Sequence, residues 1–441
     1  MLTNRDAADV SSRFAVAAAE DPAEVDSPHR CVTVRVSPTD TLPMTLLNDL
    51  PFLLQSIAWP LVLLLAWFLG ERLHEAWQLP RVSSYVAVGL VASLFNLPGL
   101  TDSVPGLPLL ANVALSLILF ELGYRIHLRW FRHNPWMLVL GLGESLLTFV
   151  VVYLASGWFD LSTDTRLIIA ALSISASPAG IVRVANEMRS AGQVTERVLH
   201  LCAINCLLSV LALKLVTGYW YLSTSGDLVL AAFGSVHVLA TSVAVGALLG
   251  FAVPLLLRAQ RIDARDITLV FALAVVLLTT MAYGLKLSPL LASLTFGIVA
   301  RERRVHLTNA QRGFGTAGDL LTLFLFVYIA ALLDWSQLHT GVWLGLALIA
   351  ARTASKVACN VAAARLSGST ERKGLLTGLA LTPMSAFAIL LLEQTRLHGF
   401  EPAREVLSLL AFMMLMQELL GPLVTQRALR AAHETHVTQE D

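Results

Sequence analysis

The sequence predicts an all-α integral membrane protein with about thirteen transmembrane helices, arranged as inverted-topology repeats with two interrupted crossing helices. Of its 441 residues, 56% are hydrophobic and only 14% are charged, whereas soluble domains carry about 25% charged residues. Apolar runs of about 20 residues, the length that crosses about 30 Å of hydrocarbon, recur from Phe52 to Thr425. The apolar runs make the lipid bilayer the expected surroundings of the protein. The net charge of zero gives no indication of a nucleic-acid or acidic partner.

Residues 1–43 differ from the rest of the chain. They are polar, mix acids with bases, and contain no apolar run of signal-peptide length. This stretch is either a disordered tail or a mis-assigned start, in which case the native protein begins at Met44.

The apolar runs divide into thirteen candidate spans. The long stretch 266–300 is divided in two because Lys286 and Pro289 interrupt it and because it is about twice as long as one crossing needs. The spans are 52–70, 83–99, 108–124, 135–155, 166–186, 199–218, 228–257, 266–284, 287–300, 317–334, 338–364, 374–396 and 405–425.

The basic residues test this count of spans. Twenty fall in loops after odd-numbered spans, against four after even-numbered spans, which are Arg166, Lys286, Arg396 and Arg404. Because cytoplasmic loops are rich in Lys and Arg, the alternation predicts an outside N-terminus and a cytoplasmic C-terminus in a multi-pass protein of the cell (inner) membrane.

Proline interrupts two of the spans. Pro178 lies in the middle of span 5 and Pro383 in the middle of span 12, and a proline inside a helix removes a backbone donor and clashes with the preceding turn. The two spans are seven apart and therefore cross in opposite directions. This pattern indicates an inverted repeat, spans 4–6 against 11–13, with the binding site at the breaks.

Enzyme chemistry is not indicated. The cysteines Cys31, Cys202, Cys206 and Cys359 lack the paired spacings of a disulfide or zinc framework. No nucleophile, metal or phosphate-loop constellation is present, so we expect no cofactor, no metal site and no enzymatic activity.

Several short segments resemble the monovalent cation:proton antiporter superfamily, which includes the sodium/hydrogen exchangers. Leu117–Gly123, which reads LILFELG, is similar to the family's phenylalanine–acid–x–glycine end of the third span. Gly378–Pro383, which reads GLALTP, is similar to the family's segment in the twelfth. Gly297 with the basic run Arg301–Arg304 resembles the ninth span and its loop, and Ser175–Pro178 stands where the family usually has Thr-Asp-Pro.

The resemblance implies a protein that exchanges a monovalent cation for protons, as a homodimer, by movement of a core domain against a dimer-forming panel. It also implies a division of the chain into domains. These are the first panel (dimerisation) helices 44–134, the first core repeat 135–218, a linker helix 219–257, the second panel helices 258–336, the second core repeat 337–430 and a short cytoplasmic tail 431–441.

The sequence departs from the family at the expected ion site. The family's sixth span normally carries an Asp that binds the cation or the proton. Here the segment His200–Ser209 places Leu208 and Ser209 at that position, so the principal carboxylate is missing. Met384-Ser385-Ala386 likewise replaces the Gly-Glu that often follows the twelfth-span proline.

Charged residues in the middle of other spans supply candidates for the missing acid. An intramembrane charge costs about 2.5–3.5 kcal/mol and is by default a functional hypothesis. Glu144 lies near the middle of span 4, and Arg352 and Lys356 lie four residues apart on one face of span 11. One interpretation is that Glu144 replaces the lost Asp, pairs with Lys356 or Arg352, and exchanges a proton with a cation. The other is that Glu144 is a structural acid.

Neutral oxygens near the breaks complete the expected site. The remaining candidates for ion or substrate binding are Ser175, Ser177, Asn205, Ser209 and Thr382. Serine and asparagine side chains equally often bond between helices.

Three functions remain open at this point. The first is antiport of sodium or potassium against protons. The second is transport of another, possibly anionic, solute held by Lys356, Arg352 and the positive ends of the half-helices. The third is a degenerate homologue that no longer transports and has a structural or regulatory role.

Overall fold

The computed structural model describes residues 42–95, 106–225, 228–260, 264–303, 314–332, 341–384, 386–397 and 402–435. The expectations for residues 1–41 lie outside the described part of the chain. By their internal contacts, Met1–Asp49 and Leu50–Asp441 form two units, and the second unit holds every candidate site residue.

The described residues form α-helices and contain no strand, which confirms the predicted all-α fold. A short 3₁₀ helix, Gly157–Phe159, follows the fifth α-helix. The α-helices are α1 (Leu42–Trp77), α2 (Arg81–Leu94), α3 (Leu107–Arg125), α4 (Leu128–His133), α5 (Pro135–Ser156), α6 (Thr163–Ile174), α7 (Pro178–Glu187), α8 (Gln193–Ser225), α9 (Leu228–Gln260), α10 (Ala264–Gly284), α11 (Pro289–Glu302), α12 (Gly315–Ala331), α13 (Val342–Ala362), α14 (Glu371–Ala380), α15 (Ala386–Leu397) and α16 (Pro402–Ala431).

Within the described residues, each predicted span overlaps one of these helices or, at the two prolines, a pair of shorter ones. Among the described residues, nine helical stretches are long and apolar enough to cross a membrane, and α2 and α12 are shorter apolar helices. The number of thirteen crossings stays a prediction. Several helices run past the predicted ends, as α8 and α16 do, because helical hydrogen bonding continues after the apolar run stops.

The helix ends follow from local chemistry. Ser162, Ser177, Ser288 and Thr370 are N-caps whose hydroxyl oxygens accept a backbone N–H of the first turn. Proline follows the cap at the first position of α7 and α11, where its missing N–H removes no helical bond. The predicted interruption near Lys286 lies between α10 and α11, and Lys286 itself has a positive φ of 56°.

Glycines allow α3 and α11 to pack closely. A Cβ on Gly123 of α3 would meet the carbonyl oxygen of Leu294 on α11, and one on Gly297 of α11 would meet that of Phe120 on α3. Because the two glycines are reciprocal, the backbones of α3 and α11 pack directly on each other, as small residues allow in membrane helices.

The interrupted helices occupy the centre of the fold. Most side chains of α6 and α7 are buried, whereas much of α1, α9 and α10 is exposed and apolar. Helices that are apolar on their outer side suit a lipid environment. The breaks after α6 and α14 are therefore surrounded by protein.

Candidate functional site

The two helix breaks meet directly. α6 ends at Ile174, α7 begins at Pro178, and α14 ends at Ala380. The backbone N–H of Ser177 in the first break donates to the carbonyl oxygen of Pro383 in the second, at 2.8 Å. The last carbonyl groups of α6 and α14 have no helical partner, so they need donors from elsewhere.

Arg352 on α13 supplies those donors. Its fully buried guanidinium donates through Nε to the carbonyl oxygen of Ser173 at 2.9 Å, and through its terminal nitrogens to those of Ser175 and Thr382. The carbonyl oxygens of Leu381 and Pro383 lie at 3.5 and 3.4 Å from Nη2.

This arrangement places a positive charge at the C-terminal ends of two half-helices, where the helix dipole is negative. The planar guanidinium, with several donors in fixed directions, is suited to bonding several carbonyls at once. Arg352 thus stabilises the crossing itself.

Glu144 on α5 lies at the centre of a second buried cluster. Its side chain is fully buried, and Oε1 accepts from Lys356 Nζ at 2.6 Å and from Asn205 Nδ2 at 2.9 Å. Oε2 accepts from Asn360 Nδ2, also at 2.9 Å. The predicted pairing of Glu144 with a base on span 11 therefore involves Lys356, while Arg352 bonds to backbone.

The Lys356 ammonium connects this cluster to the first break. Besides Glu144, its Nζ donates to the carbonyl oxygen of Ile174, the last residue of α6, at 3.2 Å. A carboxylate oxygen and a backbone carbonyl oxygen are ligands that hard cations also take. The ammonium thus occupies a position with the oxygen environment of a cation site.

Asn360 is a member of the cluster that the sequence pattern alone did not reveal. It lies four residues after Lys356, and its Nδ2 also donates to the Lys356 carbonyl oxygen at 2.9 Å. The spacing of 352, 356 and 360 is the signal that could have found it, because residues four apart lie on one helix face. Asn205 is in turn oriented by Ser145, whose Oγ donates to Asn205 Oδ1 at 3.1 Å.

The hydroxyl groups predicted for the site bond to backbone groups, and the bond of Ser209 joins α8 to α6. Ser209 Oγ donates to the carbonyl oxygen of Ala171 at 2.9 Å, Ser175 Oγ to that of Leu172, and Thr382 Oγ1 to that of Leu379. Ser177 Oγ caps α7 by accepting the N–H of Gly180. None of these bonds involves Glu144.

The energetics of the cluster distinguish it from an ordinary packing feature. Bringing two charges out of water costs several kcal/mol per ion, and a well-packed apolar pair of the same volume is often at least as stable. Stability of the folded state alone therefore does not account for a fully buried Glu144–Lys356 pair. Within the described residues no group of His, Cys, Asp and Glu is arranged to hold a metal ion.

An all-α fold of apolar helices, with a buried carboxylate–amine pair beside two broken helices, is typical of ion-coupled membrane transporters. The comparisons with known proteins agree with this class. The profile of the transmembrane region of sodium/hydrogen exchangers matches residues 61–431. The chain belongs to this family, whose members are cation:proton transporters and not enzymes.

Solved structures of one archaeal protein show the same fold. The sodium proton antiporter MjNhaP1 from Methanocaldococcus jannaschii, in a structure at pH 8, superposes with a TM-score of 0.62 at 14% sequence identity, over 86% of this chain and 96% of that one. A second structure, an electron microscopy map of MjNhaP1, gives a TM-score of 0.64 at 14% identity, over 86% and 94%. At this identity the likeness concerns the fold alone. No curated protein matches the sequence.

Proposed function

We propose that the protein is a secondary active antiporter of a monovalent cation, sodium or potassium, against protons, with Glu144 as the ion-binding carboxylate. The observation that carries the proposal is the Glu144–Lys356 contact of 2.6 Å between fully buried side chains. This contact lies beside the broken helices. In this chain Ser209 stands where members of the family usually carry an acid on the sixth span.

The arrangement supports an exchange in which the cation and Lys356 compete for Glu144. With no cation bound, the Lys356 ammonium lies between Glu144 Oε1 and the Ile174 carbonyl oxygen. A cation that binds there takes over the same two oxygens, and the displaced Lys356 ammonium releases a proton, so the charge of Glu144 is balanced by one positive charge at a time. On the return step the cation has left, and Lys356 takes up a proton and pairs with Glu144 again, which couples the two fluxes.

Three finer features belong to the proposal. Alternating access proceeds by movement of the core repeats against the panel helices, and the protein is a homodimer joined through the panel. It lies in the cell (inner) membrane with the N-terminus outside and the C-terminus in the cytoplasm. The tally of twenty basic residues against four supports this orientation.

The orientation is testable by cysteine labelling. Single cysteines placed near Asp102, Asp227 and Asp334 should react with an impermeant thiol reagent added outside the cell, and cysteines near Arg129 or Arg303 should not. The reverse pattern rejects the topology without touching the assignment of Glu144.

Proton flux in proteoliposomes tests the function. A pH gradient is imposed, chloride salts of sodium, potassium, lithium and choline are added in turn, and a pH-sensitive dye follows the lumen. We expect sodium or potassium to dissipate the gradient in the wild type and not in Glu144→Gln. The control Glu75→Gln, which changes an exposed carboxylate on α1, should behave as the wild type does.

Two outcomes contradict different parts of the proposal. If folded, correctly oriented wild-type protein responds to no monovalent cation, antiport is wrong and anion transport or a non-transporting role takes its place. If Glu144→Gln is as active as the wild type, antiport stands and the carboxylate is another residue.

A further inference from the structure

The last turn of α7 is tied to four other helices by polar contacts, at the end opposite to the helix break. Arg183, Asn186 and Glu187 form this turn. Residues three and four apart share one helix face, so all three side chains point to the same side. We call them the α7 junction.

Glu187 makes the most buried contacts of the α7 junction. Its Oε1 lies 3.0 Å from His74 Nδ1 on α1 and 3.1 Å from Arg81 Nη1 at the start of α2. The Glu187 side chain is only 5% exposed. Arg81 is held in place from its other side by Glu71, whose two carboxylate oxygens accept from Nε and Nη2 at 2.9 Å each.

Asn186 connects the same turn to α3. Its Nδ2 donates to Glu121 Oε1 at 2.8 Å, and its Oδ1 accepts from Arg125 Nη2. Arg125 and Glu121 also pair with each other along α3, at 2.8 Å. The amide therefore completes a closed triangle of hydrogen bonds between two helices.

Arg183 makes the third connection, an ion pair with Asp319 on α12. Together the three residues reach α1, α2, α3 and α12, and these helices all fall in the segments that the sequence assigns to the panel. α7 itself falls in the first core repeat. The α7 junction is thus a polar connection between the two predicted domains.

The packing around the α7 junction is incomplete. A cavity of about 20 Å³, enough to hold one water molecule, lies between α3, α7 and α12. Its lining includes Glu121 and Asn186 at one end and Ala179, next to Pro178 of the break, at the other. Water in this cavity borders the contacts of Asn186 and Arg183 and can replace them, whereas a close-packed apolar contact would have no such exchange partner.

From this geometry we infer that the α7 junction is a latch, by which we mean a set of polar contacts that holds the core against the panel until it opens. Glu187 is the gating residue through which the latch closes. α7 begins at the break beside Lys356 and ends at the latch, about 14 Å away at 1.5 Å per residue. A movement of the break relative to the panel therefore has to open these contacts. The inference rests on the proposed alternating access and adds the residues that control it.

Cross-linking tests the latch directly. In a background with the native cysteines replaced by serine, His74→Cys with Glu187→Cys is joined by a short reducible reagent. We expect cation-driven proton flux to fall by at least about tenfold on cross-linking, because a closed latch stops the conformational cycle, and to return on reduction. The control pair Arg365→Cys with Glu371→Cys joins two exposed residues within the second core repeat and should leave the flux unchanged.

A second measurement, the rate of cysteine labelling, does not depend on transport. Ala179→Cys lines the cavity, and its rate of reaction with a small thiol reagent reports how often the interface opens. Glu187→Gln should raise that rate at least about threefold if the latch restrains opening, and Glu75→Gln should not change it. If the joined His74–Glu187 pair transports normally, or if Glu187→Gln leaves Ala179→Cys labelling unchanged, the latch is wrong. A wild type without flux but with faster labelling in Glu187→Gln contradicts the antiport proposal and not the latch.

Discussion

The buried cluster around Glu144 and the α7 junction both pair carboxylates with basic side chains and amides, but they lie in different surroundings. Glu144 and Lys356 are both 0% exposed, whereas every ion pair that Arg183 or Glu187 makes in the α7 junction has a partner that water reaches. Glu187 is 5% exposed but its partners His74 and Arg81 are 20% and 27% exposed, and Arg183 and Asp319 are 21% and 53% exposed. Losing one partner of a buried pair leaves an uncompensated charge and costs about 3–5 kcal/mol. Exposed pairs contribute about 0–1 kcal/mol.

This difference matches the roles proposed for the two regions. A binding site has to hold its charges in one geometry with water excluded, so that an entering ion meets prearranged oxygens. A latch has to open on every cycle, so its contacts must be weak enough to exchange with water. Burial, more than the number of ion pairs, therefore separates the two regions.

Removing Glu144 should have the largest effect. Glu144→Gln leaves the Lys356 ammonium buried without its counter-charge, and we expect the folded state to lose about 3–5 kcal/mol and cation-driven flux to vanish. Glu144→Gln combined with Lys356→Met removes both charges and should recover most of the stability while remaining inactive. Thermal unfolding in detergent and flux in proteoliposomes measure the two effects. A double variant as unstable as the single one would show that the pair is not the source of the loss.

Arg352 should come next. Arg352→Lys keeps the positive charge but cannot reach three carbonyls from one planar group. At least one of the carbonyls of Ser173, Ser175 and Thr382 then stays unsatisfied, at about 1–3 kcal/mol for each buried group. We expect Arg352→Lys to lower the melting temperature. Its order of preference among sodium, potassium and lithium should be the same as that of the wild type. A changed preference among sodium, potassium and lithium would show that Arg352 contacts the transported ion.

Part of this arrangement could be predicted from the sequence. A charged residue in the middle of an apolar run is conspicuous, which identifies Glu144, Arg352 and Lys356, and proline places the two breaks. The sequence could not decide between Arg352 and Lys356 as the partner of Glu144, because both lie on one face of α13. The decision comes from the carbonyl oxygens at the breaks, which accept from all three nitrogens of the Arg352 guanidinium. The positions of these carbonyls depend on how α6 and α14 meet.

Neutral and interfacial residues are harder to predict. Asn360 carries no charge and is inconspicuous in the sequence, although its distance of four residues from Lys356 is visible there. Asn186 and Glu187 lie at the end of a span, where polar residues normally face water or lipid headgroups. Their contacts with α1, α2 and α3 join residues more than 60 positions apart, which a linear pattern does not show.

Asn360 should have an intermediate effect. Asn360→Leu keeps the approximate size but removes the N–H that Glu144 Oε2 accepts, and hydrogen bonds to charged groups contribute about 1.5–3 kcal/mol. We expect the apparent affinity for the driving cation to change by about tenfold, which corresponds to about 1.4 kcal/mol. The concentration dependence of proton flux measures it.

Asn205→Leu is the matched variant, because Asn205 gives Glu144 Oε1 a bond of the same 2.9 Å length. The two variants should have similar effects. If Asn205→Leu changes the apparent affinity for the cation and Asn360→Leu does not, the bond from Asn360 to the Glu144 carboxylate is not important for binding. The role of Asn360 is then its bond to the Lys356 carbonyl oxygen within α13.

The smallest effect should come from an ion pair that neither region contains. Arg365 and Glu371 approach to 2.8 Å, as close as many buried pairs, but their side chains are 83% and 58% exposed. Water screens both charges and each side chain loses conformational freedom when they pair, so distance alone contributes little. We expect Arg365→Ala to leave both the melting temperature and the flux at wild-type values. If its effect instead approached that of Glu144→Gln, burial would not be what separates the charges of this protein, and the contrast between the cluster and the α7 junction would need another explanation.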